Sequence, residues 1–188
     1  MEQYRERTAV YERLSHLADE TLRNALDAQH VKVTAMEHRI KTESSLAGKL
    51  ELKGAKYHTL DDVTDIVGMR VVTFYSADVD KVAAIVNEVF QVDWNNSVDK
   101  RKLHRLDSFG YNSLHYICKL PKTVIDDPDM PLLNELRFEI QMRTALQHVW
   151  STLDHDTAYK GNVKIPNEYR RQFNRLAGML ELIDEEFS

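Results

Sequence analysis

The chain has 188 residues, 43% of them hydrophobic and 29% charged, with a formal net charge of -5. That length suits one domain with a real core, and the mildly acidic balance excludes a global field for nucleic acid, so any anion site must come from local clustering. A single cysteine, Cys118, excludes a disulfide framework or a cysteine-built zinc site, and the absence of both a long apolar run and a signal-peptide core gives the expectation of a cytoplasmic protein with no membrane role.

From Tyr4 to about Gln29 apolar residues recur at three and four (Val10, Leu14, Leu17, Leu22, Ala25), which predicts a helix packed on a core. His30 to Ile40 contains the β-branched run VKVTAM, read as a strand running into Arg39 and Lys41. These two cations are two residues apart and share a side of an extended chain. The stretch Thr42 to Ser45 reads as a cap for a short helix over Leu46 to Leu52, with Ser45 and Lys49 on one face. The cluster fits either a solvated charge run or a polyphosphate site.

Three aspartates, Asp61, Asp62 and Asp65, precede a buried strand from Ile66 to Phe74. Two are explained as helix N-terminal acids, and Asp65 at the strand entrance is the candidate metal ligand. A helix from Ser76 to Phe90, with Asp78 as N-cap, leads to a short strand at Gln91 to Trp94, giving a βαβ-like unit. The polar loop from Asn95 to Asp107 carries Lys100, Arg101, Lys102, His104 and Arg105, and its length favours function or mobility over pure connection. Tyr111 at the loop exit is either a core aromatic or a surface for stacking a flat ligand.

A strand from Leu114 to Leu120 puts His115, Ile117 and Lys119 on one face. A second, from Leu136 to Thr144, alternates apolar Leu136, Phe138, Ile140 and Met142 with Arg137, Glu139, Gln141 and Arg143. The alternation fits either a half-exposed strand or a carboxylate, Glu139, held rigidly in a cleft beside Gln141 and Arg143. A long helix from Ala145 to about Tyr159 and a last helix from Asn167 follow, the latter expected to pack through Phe173, Leu176, Leu180 and Ile183.

Five pieces in order carry a family resemblance: Arg39-x-Lys41-x-x-x-Ser45-x-x-x-Lys49, Asp65-Ile-Val-Gly-Met-Arg70, Gly110-Tyr111-Asn112-Ser113-Leu114-His115, Glu139-Ile-Gln141-Met-Arg143-Thr144, and His148 with Tyr159-Lys160. The chain resembles the RelA/SpoT-type alarmone synthetases from about Ala35 onward. The resemblance implies an α+β fold, a nucleotidyltransferase-like mixed sheet flanked by helices. It would be one domain over 1–188, divided into an N-terminal helix (1–30), sheet core (31–142) and C-terminal helices (143–188). It implies transfer of pyrophosphate from ATP to the ribose 3′-OH of GDP or GTP, with Mg²⁺ as cofactor.

Carried over residue by residue, Arg39 and Arg70 would stack the adenine, and Lys41, Ser45 and Lys49 would hold the donor phosphates. Asp65 and Glu139 would be the catalytic acids and metal ligands. Tyr111 would stack on guanine, with Asn112, His115, Gln141 and Arg143 lining the acceptor side. The family's basic run before the Gly-Tyr motif is replaced here, leaving Lys100 and Lys102 as candidates for the acceptor phosphates. The resemblance also implies a homo-oligomer, a tetramer in related small synthetases. The basic loop Lys100 to Arg105 motivates an alternative acceptor, the 3′ end of tRNA; a non-enzymatic nucleotide-binding module is the other alternative.

Overall fold

Alternating sequence builds a six-stranded sheet in the computed structural model, which describes residues 2–53, 56–102, 113–121, 131–159 and 167–187. Its strands are β1 (Ala35–Ile40), β2 (Val67–Thr73), β3 (Gln91–Val92), β4 (Val98–Asp99), β5 (Leu114–Lys119) and β6 (Phe138–Thr144), in the order β1-β2-β6-β5-β3 with β4 beside β5. The β2–β6 pair is parallel and every other pair is antiparallel, so the sheet is mixed. β6 lies in the middle, as its position between two helical patterns suggests.

One sheet face is apolar. Val67, Met69, Val71, Phe138, Ile140 and Met142 are each no more than 2% exposed. Two helices, α2 (Thr8–Ala28) and α4 (Ser76–Val89), supply the matching residues, Leu14, Ala18 and Leu22 from the first and Val79, Val82 and Val86 from the second. The N-terminal helical pattern is broken at Arg7 into α1 (Glu2–Glu6) and α2. Helix α2 ends with His30 at a φ of 54°, while the Val31 N–H reaches back to the Leu26 carbonyl, a left-handed C-terminal turn on a residue other than glycine.

Three expectations are corrected. The β-branched run from Val31 to Thr34 precedes the strand: both the N–H and the hydroxyl of Thr34 donate to the Val72 carbonyl, and the ladder proper runs over Ala35–Ile40. Asp78 is a first-turn residue that accepts from Lys81, because α4 begins two residues earlier at Ser76. Helices α5 (Ala145–Tyr159) and α6 (Asn167–Glu186) have the expected spans, but α6 buries Ala177 and Asp184 and leaves Leu176 and Ile183 exposed.

Candidate active site

The other sheet face is polar, and the strand register orders it in two rows. Arg39 pairs with Gly68, Gly68 with Glu139, and Glu139 with Ile117; one step along, Glu37 pairs with Arg70, Arg70 with Gln141, and Gln141 with His115. Directly opposed residues share a face and lie about 5 Å apart. The rows therefore gather side chains from distant parts of the chain. Glu37, Arg39, Asp65, Gly68, Arg70, Glu139 and Gln141 line one cavity.

Asp65 stands at the entrance to β2. The Lys41 N–H continues the β1 ladder by donating to the Ile66 carbonyl at 2.7 Å, which lays Lys41 beside it. The Lys41 ammonium donates to Asp65 Oδ2 at 2.8 Å and the Lys49 ammonium to Oδ1 at 2.7 Å. Burial pushes the Asp65 carboxyl up, but the two lysines outweigh it and hold the group below its usual range. Lys49 comes from α3 (Glu43–Lys53), which starts three residues before the expected Leu46 because the Thr42 oxygens accept from the Ser45 and Leu46 N–H groups. Ser45 is exposed at that helix start, its hydroxyl accepting from Thr42.

Glu139 is half-buried and doubly held. His115 Nδ1 donates to Oε1 at 2.8 Å and the Gln141 amide to Oε2 at 2.8 Å. Burial again works against the charge, and the His115 and Gln141 bonds more than offset it, so the carboxyl titrates low and stays ionised. The other ring nitrogen, Nε2, is hydrogen-bonded to the buried Ser113 hydroxyl, which fixes the ring's orientation toward Glu139. The negative field of Asp65 also reaches Glu139. Two hard carboxylates close enough to repel, on one cavity, fit Mg²⁺, which takes one or two protein carboxylates and completes its shell with phosphate oxygens and water. Among the described residues no cluster of three or more His, Cys, Asp or Glu offers a closed metal cage.

Arg39 is exposed, while Arg70 donates from one terminal nitrogen to Glu37 at 3.0 Å; its buried Nε–H has no hydrogen-bond partner among the described residues. Such an orphan donor fits a site built to receive something. Arg143 shares the polar face of β6 but is only 2% exposed and does not line the cavity; in register it pairs with Val72, beyond the second row. The backbone of Lys100 is fixed by its N–H on the Ser113 carbonyl, outside the cavity lining. Tyr111 and Asn112 lie outside the described residues, as does the side chain of Lys102.

Four residues of the cavity lining were not singled out in the sequence as site residues, Glu37, His38, Gly68 and Met69. The signal for Glu37 was available: it lies two residues before Arg39 and so shares its face on any strand.

A family profile described as "Region found in RelA / SpoT proteins" matches residues 38–164. GTP pyrophosphokinase YjbM of Bacillus subtilis is 24% identical over 162 residues, covering 85% of this chain and 72% of the relative. The crystal structure of small alarmone synthetase 1 from Bacillus subtilis bound to its product pppGpp superposes with a TM-score of 0.81 at 21% identity, over 100% of this chain and 95% of that one. The same synthetase bound to AMPCPP gives 0.75 at 21% identity, with the same shares covered.

Proposed function

The chain belongs to the RelA/SpoT family, and from that premise we propose that it is a GTP pyrophosphokinase, moving the pyrophosphate of ATP onto the ribose 3′-hydroxyl of GDP or GTP to give (p)ppGpp. One observation carries the reading: Asp65, at the entrance to β2, and Glu139, on β6, line one cavity together with Arg39 and Arg70. The product and the ATP analogue held by the similar synthetase support the same substrates here.

In this reading Arg39 and Arg70 stack the donor base through their guanidinium planes. Lys41 and Lys49 take the donor phosphates, with Ser45 at the start of α3 beside them. Glu139, aimed by His115 and Gln141, accepts the 3′-hydroxyl proton. As O3′ bonds to the β-phosphorus, the bond from that phosphorus to the oxygen bridging to the α-phosphorus breaks, and AMP leaves. Asp65 and Glu139 would hold Mg²⁺, which when bound neutralises charge on the transferred group. Tyr111 and Asn112 take the guanine side, with Lys100, Lys102 and His115 toward the acceptor phosphates and Gln141 lining the cleft; Arg143 acts from within the fold rather than by contact.

The reaction is assigned to the cytoplasm, by one synthetase domain over 1–188 working as a homo-oligomer. No helix among the described residues is long and apolar enough to cross a membrane. The test is incubation with ATP, Mg²⁺ and GDP or GTP, with separation of the nucleotides. AMP and a 3′-pyrophosphorylated guanine nucleotide are expected in equal amounts. Glu139→Gln should lower kcat by roughly a hundredfold or more. No product from the wild type, or undiminished product from the variant, overturns the reading.

A further inference from the structure

The cavity contains an acid that pyrophosphate transfer does not use. Asp65 is engaged on both carboxylate oxygens by Lys41 and Lys49, and Glu139 on both by His115 and Gln141. Glu37 has one oxygen on Arg70, and its other oxygen has no hydrogen-bond partner among the described residues. A carboxylate close to a polyphosphate is repulsive unless a metal ion stands between them, so an acid with no part in holding the metal belongs at the end away from the phosphates.

The register puts it there. Glu37 and Arg39 point to the same side of β1, two residues and about 6.6 Å apart. Arg39 is in the row of Gly68 and Glu139, and Glu37 is in the next row with Arg70. Glu37 therefore stands beside the two arginines on the side remote from Asp65. We propose that Glu37 reads the donor base: its carboxylate accepts a hydrogen bond from the 6-amino group of an adenine stacked between Arg39 and Arg70, and so selects ATP against purine nucleotides with a 6-oxo group. This rests on the donor placement given under the proposed function.

The selectivity follows from donors and acceptors. Adenine offers N–H at position 6, which satisfies a carboxylate. Hypoxanthine and guanine offer a carbonyl oxygen, leaving two acceptors facing each other. A site built to receive a hydrogen bond discriminates strongly against the analogue that cannot make it. The Arg70 pair does not compete, because it occupies the other oxygen and holds the carboxylate in place.

The test compares ATP with ITP as donors to saturating GDP, reading AMP against IMP released. ITP keeps the triphosphate and ribose and changes the base edge at issue. The wild type should favour ATP in kcat/KM by roughly tenfold or more, the scale of a hydrogen bond to a charged group. Glu37→Ala should shrink that ratio by about tenfold. Glu37→Gln, whose amide can donate to a carbonyl, should move it further toward ITP. The side chain is 55% exposed, so both variants should keep the fold, checked by thermal melting. A merely structural Glu37, acting only to hold Arg70, would lower ATP and ITP use equally; an unchanged ratio overturns the proposal, as does a wild type that does not discriminate. If no donor reacts, the functional reading fails separately. Base selection is then read by calorimetry with the α,β-methylene analogues of ATP and ITP, where equal wild-type affinities overturn it.

Discussion

At Asp65 two ammonium groups share one carboxylate, a triplet of net charge +1 in a partly buried place. Burial works to lower the Lys49 pKa, yet the Asp65 bond raises it above the ordinary lysine value, so the cation stays charged. Removing one partner from such a cluster leaves uncompensated charge, so the lysines leave Asp65 only for a substitute anion. On the proposed function the donor phosphates would be that substitute, taking the lysines and releasing the carboxylate for a cation. Metal and nucleotide should therefore bind with positive coupling, of the ordinary size of about 1–3 kcal/mol. Calorimetry should find Mg²⁺ alone binding weakly, and binding several-fold better once a non-hydrolysable ATP analogue is present. Lys41→Met with Lys49→Met should raise the affinity for Mg²⁺ alone and lower that for the analogue. Equal metal affinity with and without nucleotide would mean that the lysines do not guard Asp65.

The strand β2 makes a different point through Gly68. Glycine inside a strand costs roughly 0.5–1 kcal/mol against alanine, so it calls for a reason. Here φ is not positive, and a Cβ built on Gly68 would meet nothing within 4 Å. Neither backbone nor packing demands glycine; the bare backbone between Arg39 and Glu139 leaves floor space for a ligand. A series Gly68→Ala, Val, Leu should hold or raise the melting temperature while affinity for the ATP analogue falls with side-chain size, alanine being mild and leucine severe. A valine variant binding like the wild type would show that the floor is unused. The alternation from Leu136 to Thr144 made the face of Glu139 and Gln141 legible in sequence, because period two is a local property. What local pattern cannot give is which strand lies opposite. The β-branched run at Val31 to Thr34 set the start of the predicted strand at His30, ahead of the ladder that begins at Ala35, and the pairing of Glu37 with Arg70 is a matter of register that no local pattern carries. The two lysines were legible as a basic cluster, whereas their convergence on Asp65 depends on the β1–β2 ladder reaching Lys41.

On the scale of the molecule, α6 carries two stripes. The inner one is Phe173, Ala177, Leu180 and Asp184, with Phe173 against Trp150 of α5 at a ring distance of 4.4 Å. Thr144 at the end of β6 donates to Asp184 at 2.9 Å, a buried bond that ties this helix to the strand bearing Glu139. The outer stripe is Tyr169, Leu176, Met179, Ile183 and Phe187, all between 42% and 64% exposed. The spacing of seven, three and four from Tyr169 to Ile183 is that of a coiled-coil seam, and a contiguous apolar patch of this kind is uncommon on a monomer. The expectation that Leu176 and Ile183 pack inward failed because a 3.6-residue period does not say which of two adjacent stripes faces home; the small Ala177 permits the closer approach. A second copy of the chain, presenting the same seam, is the occupant that a homo-oligomer supplies. Light scattering should give the wild type a mass that is a multiple of 21.9 kDa. Met179→Glu with Ile183→Glu, placed on the outer stripe, should give one chain mass with an unchanged circular dichroism spectrum, since neither side chain supports the Trp150 contact. A wild type that stays monomeric at tens of micromolar, or a double variant that keeps the larger mass, would remove α6 as the joint between copies.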